Sequence, residues 1–184
     1  MTDSNLYGLV LAGGYSTRMG SDKGLLNYNG KPQREYLFEL LGENCAKVFT
    51  SCRKDQGVPS HLNPLVDHFH MPGPLNGILS AFAFSPQSSW LIVAVDMPFV
   101  GASALQLLTF HRNKSKMATC FFNPETQQPE PLLTLWEASA YPALLEFSKK
   151  GNISPREFLK THPVRIIQPP DEKTLVNYNY PGAL

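Results

Sequence analysis

The sequence predicts an α/β fold, a mostly parallel sheet with helices on both faces, and three observations lead there. Short apolar runs alternate with helix-periodic stretches along the chain, as expected of repeated strand–helix–strand units. The first run, 7–12, empties into Gly13-Gly14 and then a stretch of hydroxyls and cations reaching Lys23. Two later runs end directly on carboxylates, Asp67 and Asp96. Ligands of open α/β sheets collect at the carboxyl ends of the strands, so the three features belong to one place.

Bulk properties narrow the class. A chain of 184 residues, 42% hydrophobic and 17% charged, is expected to form one domain, 1–184, with a sizeable core. A net charge of +1 gives no general attraction to nucleic acid or membrane, and there is no basic stripe interleaved with aromatics. Cys45, Cys52 and Cys120 are odd in number and form no C-x-x-C pair, so they read as core residues in a reducing compartment. The polar opening 1–5 lacks a signal-peptide pattern, and the longest apolar run, 90–95, is too short to span a bilayer. A cytoplasmic location is expected.

Each element has its own warrant. After the first strand, 25–28 is expected to be a short extended piece ending at the turn signal Asn29-Gly30. Residues 33–41 place Tyr36, Leu37, Leu40 and Leu41 at helical spacing, with Gly42 as the stop. Residues 47–52 read as a strand, 56–64 as a surface loop and 65–67 as a short strand. The stiff turn 71–77 leads into a helix with Leu75, Ile78, Leu79 and Phe82 on one face. The run 90–95 is the clearest buried strand, and a helix over 103–111 follows. Residues 116–122 read as a strand, and 123–131, polar with three prolines, as a loop. Then come strand 132–136, helix 141–147 ended by Gly151, a short helix capped by Ser154-Pro155 with Glu157, and strand 164–167.

The glycine turn suits a phosphorylated ligand. Glycine permits positive φ and close approach, backbone N–H groups in such a turn form an anion-binding concavity, and cations complement it. From Gly8 to Arg34 the cations Arg18, Lys23, Lys31 and Arg34 face only Asp22, a local net charge of +3. The spacing is neither that of a P-loop nor that of the dinucleotide fingerprint G-x-G-x-x-G. Asp96 closes six apolar residues, which is costly unless it is solvated, paired or metal-bound. One or two carboxylates plus phosphate oxygens commonly hold Mg2+. The alternative for Asp96 is a helix cap ahead of Pro98. Asp67 reads as a ligand or a turn cap, and Gly77 as a close-approach site or a packing glycine. Asn177 and Asn179 read as surface-turn residues or amides for a magnesium shell. The histidines lack metal-ligand spacing. No nucleophile–base pair stands out, and phosphoryl or nucleotidyl transfer requires none.

These residues, in this order, resemble a known family. Leu11-Ala12-Gly13-Gly14-x-Ser16-x-Arg18-Met19-Gly20-x-Asp22-Lys23 is similar to the signature loop of the nucleotidyltransferases that include molybdenum cofactor guanylyltransferase. Gly30-Lys31-Pro32, Asp67 with Gly73-Pro74-Leu75-x-Gly77-Ile78, Val95-Asp96-Met97-Pro98, Pro131-Leu132-Leu133-x-Leu135-Trp136 and Asn177-x-Asn179-x-Pro181 resemble its later motifs. The likeness covers essentially the whole chain. It implies a Rossmann-like domain with about seven strands, in which a molybdopterin phosphate attacks the α-phosphate of GTP with Mg2+ as cofactor. Leu11, Ala12, Gly13, Gly14 and Ser16 would lie along the nucleotide, Arg18 and Lys23 on its phosphates, and Asp96 on Mg2+. Asp67 and Gly77 would lie near base and ribose, and Asn177 and Asn179 near the pterin or metal. Proteins that make or accept the cofactor would be the macromolecular partners. Cys52 departs from the family's asparagine near the base, Val95 from the cysteine before Asp96, and Tyr180 from the threonine of the last motif. Related cytidylyltransferases tend to have alanine at Gly13, so its missing methyl is expected to leave room for a purine. The alternatives are a cytidylyltransferase for the same pterin, transfer to a sugar or polyol phosphate, and a non-catalytic nucleotide-binding module.

Overall fold

The computed structural model describes residues 3–14 and 23–178. In chain order the elements are β1 (Leu6–Leu11), α1 (Gln33–Gly42), β2 (Lys47–Cys52), β3 (Pro64–Val66), α2 (Leu75–Phe84), β4 (Ser89–Ala94), α3 (Ala102–Phe110), β5 (Ala118–Asn123), β6 (Gln128–Trp136), α4 (Ala140–Lys149), α5 (Pro155–Thr161) and β7 (Val164–Ile167). They build one seven-stranded sheet of order β3-β2-β1-β4-β6-β5-β7. Every pairing is parallel except those of β6, which runs against both β4 and β5.

The sheet is covered on both sides, and β1 shows it. A Cβ on Gly8 would lie 3.1 Å from Leu41 of α1, whereas Leu11 reaches toward Gly77 of α2. Residues three apart on a strand face opposite ways, so α1 and α2 lie on opposite faces. β4 sits between β1 and β6 and is buried along its whole length. This is why 90–95 reads as a continuous apolar run rather than an alternating one. α5 opens as expected, with the Ser154 hydroxyl accepting from the Glu157 N–H and Pro155 in the first turn.

Several local expectations are corrected. Residues 128–131 are strand, not loop: β6 begins at Gln128, reached through a tight turn with Gln127 at φ 56°. β4 pairs only with Leu133–Trp136, so Pro129 and Pro131 lie beyond its end and withhold no N–H from it. Residues 23–25 form a 3-10 turn in place of the start of an extended piece. Only Asn27 makes a β-bridge, to Pro32, around Gly30 at φ +79°. Gly42 is the last residue of α1 rather than a left-handed stop, since Glu43 caps the helix in right-handed geometry. Residues 60–62 of the expected surface loop make a 3-10 turn, and Pro64 already belongs to β3.

Candidate active site

Strand register brings the predicted residues to one edge. Leu11 pairs with Ser51 on one side and Ala94 on the other, and Ser51 pairs with Leu65. Four strands therefore end level, and Ala12, Arg53, Asp67 and Asp96, which follow them, emerge together. They border a cleft of ≈ 770 Å³ whose lining includes Gly13, Gly14, Lys23, Asp67, Gly77 and Asp96. The cleft thus opens at the expected edge, and the nearly buried Leu11 and Ala12 line it.

Asp96 sits in a tight turn. Val95 N–H donates to Leu11 O at 3.2 Å and Met97 N–H to Ala94 O at 3.3 Å. The next helix begins at Ala102 with Gly101 as its N-cap, five residues beyond Asp96, so the helix-cap reading falls. Lys23 Nζ approaches Asp96 Oδ2 at 3.4 Å. Asp96 Oδ1 is buried and has no hydrogen-bond partner among the described residues. An unsatisfied buried carboxylate oxygen is expensive, and a hard divalent cation is the partner it suits. Among the described residues no three His, Cys, Asp or Glu side chains cluster as a metal cage. The donor set therefore fits an ion held by one carboxylate and completed by substrate phosphate oxygens, the usual manner of Mg2+.

Asp67 has a different environment. Ser51 Oγ donates to its Oδ1 at 2.7 Å, and its carboxylate fills space that two glycines leave open. A Cβ on Gly13 would fall 2.3 Å from Asp67 Oδ2, and one on Gly77 would meet Ser51 Oγ at 2.6 Å and Asp67 Oδ1 at 3.4 Å. Neither Gly13 nor Gly14 has positive φ. Gly13 is thus glycine for a close approach, as expected, but the approaching group is Asp67. The room expected for a purine is already taken by a carboxylate. Gly14, by contrast, has open space around it. Burial pushes the Asp67 carboxyl up to about 6, against the opposing pull of the Ser51 hydrogen bond and the nearby His68 and Arg53.

Two residues not singled out hold the glycine turn. Arg53 Nη1 donates to Gly13 O at 3.3 Å and to Gly14 O at 3.0 Å, and Gln56 Nε2 donates to Ala12 O at 3.0 Å. Cys52, the departure expected near the base, is buried against Leu65 O and does not line the cleft. Asn177 is exposed beside the site, because the Tyr178 N–H donates to Asp96 O at 2.7 Å and anchors the tail there. The Tyr178 ring meets Tyr28 and Phe99 edge-on. Ser16, Arg18, Asn179 and Tyr180 lie outside the described residues.

The MobA-like NTP transferase domain matches residues 8–166. The chain belongs to this family. A molybdenum cofactor biosynthesis bifunctional protein of Synechocystis sp. is 36% identical over 98% of this chain, which spans about half (53%) of that relative's length. A molybdenum cofactor guanylyltransferase of Pseudomonas fluorescens is 30% identical over 96% of this chain and 90% of its own. The crystal structure of molybdopterin-guanine dinucleotide biosynthesis protein A from Archaeoglobus fulgidus superposes with a TM-score of 0.76 at 22% identity, covering 95% of this chain and 93% of that one. It shows the same fold. In this MobA-like chain, the sequence carried one legible sign of the unforeseen partners: Thr50-Ser51, a polar pair inside an otherwise apolar strand end. Ser51 turns out to be buried on Asp67.

Proposed function

We propose that this chain is a molybdenum cofactor guanylyltransferase, moving GMP from GTP to the phosphate of molybdopterin. An oxygen of the acceptor phosphate forms a bond to the α-phosphorus of GTP, the bond from that phosphorus to the bridging oxygen breaks, and pyrophosphate leaves. The observation that carries this reading is Asp96, with one buried oxygen unpartnered among the described residues and the other 3.4 Å from the Lys23 ammonium. That arrangement suits a triphosphate and its counter-ion. Family membership and the guanylyltransferase relatives supply the chemistry.

Each residue takes a part in this reading. Lys23 and Arg18 neutralise phosphate charge as the triphosphate enters. Leu11, Ala12, Gly13, Gly14 and Ser16 lie along the nucleotide. Asp67, with Gly77 behind it, faces the base, where a carboxylate can accept from the adjacent N1–H and N2–H donors of guanine. Asn177 and Asn179 face the pterin or the metal. When held by Asp96, Mg2+ supplies charge that offsets what develops on the phosphate oxygens in the transition state. No acid or base on the chain is needed, because the acceptor phosphate is already ionised near neutral pH.

No helix among the described residues is long and apolar enough to cross a membrane, and we assign the protein to the cytoplasm beside the proteins that make or receive the cofactor. The test is incubation with Mg2+, molybdopterin and GTP, CTP or ATP in turn, following pyrophosphate and the dinucleotide product. GTP should dominate. Comparable turnover with CTP would overturn the guanine assignment, and no pyrophosphate from any of the three would overturn transfer itself.

A further inference from the structure

Arg53 lines the cleft, and its charge alone suggests one more phosphate ligand. Its hydrogen bonds say otherwise. One terminal nitrogen is shared between Gly13 O and Gly14 O, and Nε donates to Asp55 at 3.2 Å. Three residues on, Gln56 takes the preceding carbonyl, Ala12 O. The two residues also brace each other. Arg53 N–H donates to Gln56 Oε1 at 3.3 Å, and Gln56 N–H donates to Arg53 O at 3.1 Å. The loop after β2 is thus a closed turn that presents side-chain donors to three successive carbonyls of the loop after β1.

A trans peptide sets each carbonyl and the N–H that follows it on opposite sides of the chain. Drawing Ala12 O and Gly13 O toward Gln56 and Arg53 therefore turns the N–H groups of Gly13 and Gly14 away from that loop. It also gathers the negative ends of three peptide dipoles on a guanidinium and an amide. An anionic ligand is then met by N–H groups rather than by carbonyl oxygens. The same guanidinium lies close enough to Asp67 to oppose the rise in its pKa.

We propose that Arg53 and Gln56 are positioning residues, which clamp the carbonyls of the glycine turn so that its N–H groups are set for the nucleotide. This rests on the nucleotidyltransferase reading and adds to it a role for the loop after β2. Three variants test it: Arg53→Met, Gln56→Leu and the double. In nucleotide-free protein, 15N relaxation should show lower order at the Gly13 and Gly14 amides in each variant. Titration should show GTP and GMP weakened by the same factor, on the order of tenfold for each single variant, one hydrogen bond's worth. The double should be little worse than either single, because both changes release one turn. GTP weakened far more than GMP in Arg53→Met, with Gln56→Leu at wild type, would make Arg53 a phosphate ligand and overturn the clamp. Unchanged amide order would overturn it too, whatever binds. Wild-type protein that bound neither nucleotide would count instead against the proposed function, since the relaxation readout needs no ligand. Should Arg53→Met fail to fold, Gln56→Leu, a neutral change in a loop, carries the same two readouts.

Discussion

The two ends of this sheet treat their charged groups in opposite ways. At the amino ends of the parallel strands, Arg112 makes four side-chain hydrogen bonds. Its Nε and Nη2 lie 2.7 and 2.8 Å from Glu137, Nη1 lies 2.9 Å from Asp3, and Nη2 also reaches Ser89 Oγ at 2.8 Å. Ser89 donates on to Glu137, and Lys114 completes Asp3. At the carboxyl ends, Asp96 keeps a buried oxygen without a partner among the described residues, and Asp67 is half-buried with the Ser51 hydroxyl on it. The first set ties Asp3, ahead of β1, to the start of β4 and the end of β6. In the second set the bare oxygen of Asp96 carries a desolvation cost. A buried oxygen left bare at a cleft points to function, whereas a densely hydrogen-bonded network points to structure.

The comparison breaks most visibly at Arg112. Arg112→Met leaves Glu137 buried without its partner, which costs about 3–5 kcal/mol of stability. On a chain of this size that is roughly 6–20 °C in the melting midpoint. The rate per folded molecule should stay at wild type, because the network stands at the far end of the strands. A melting curve beside pyrophosphate release checks both halves. Lys23→Ala should do the reverse: GTP affinity falls by about 1.5–3 kcal/mol, the value of a charged hydrogen bond, while stability hardly moves because the Lys23–Asp96 pair is long and partly exposed. Isothermal titration with a melting curve reads this.

The smallest effect is the pH dependence, and its sign differs between the two ends. The Lys114 hydrogen bond, with help from the Asn5 N–H and Arg112, holds Asp3 down at about 2, against 3.8 for a free aspartate. Its contribution is present above pH 3.8 and is lost as the pH falls toward 2. Asp67 is raised from 3.8 to about 6, so the folded state keeps a proton that the unfolded chain has released. Its contribution is full below pH 3.8 and is lost as the pH rises through 6. In urea midpoints measured across this range, Asp3→Asn should flatten the acid limb and Asp67→Asn the limb between 4 and 6. Slopes unchanged in both variants would show that these carboxyls are not shifted as described.

The sequence shows the site edge more plainly than it shows the site's interior. Asp96 is legible because one carboxylate ends an apolar run, and a strand buried on both faces has no other way to read. The glycine turn is legible for similar reasons, since few sequences leave a strand through two glycines into cations. What makes the turn work is less visible. Arg53 and Gln56 act through carbonyls, which every residue carries, and they act across 39 to 44 positions of chain. Gly13 is a glycine because of Asp67, far along the chain, and only register sets the two side by side. The prolines of 128–131 mislead because their cost depends on which neighbour lies alongside, and there β4 has already ended.

The most direct test of the contrast between the two ends is Asp96→Asn, followed by pyrophosphate release against Mg2+ concentration and by a melting curve on the same sample. The amide keeps the shape of the side chain and leaves the backbone bond to Tyr178 in place. Mg2+-dependent turnover should fall by roughly two or more orders of magnitude, on the scale of losing one electrostatic stabiliser. The midpoint should stay at or above that of wild type, since a half-buried charge with one bare buried oxygen has been removed. An Asp96→Asn protein that melts normally and turns over at the wild-type rate would rule out a metal-holding role for Asp96.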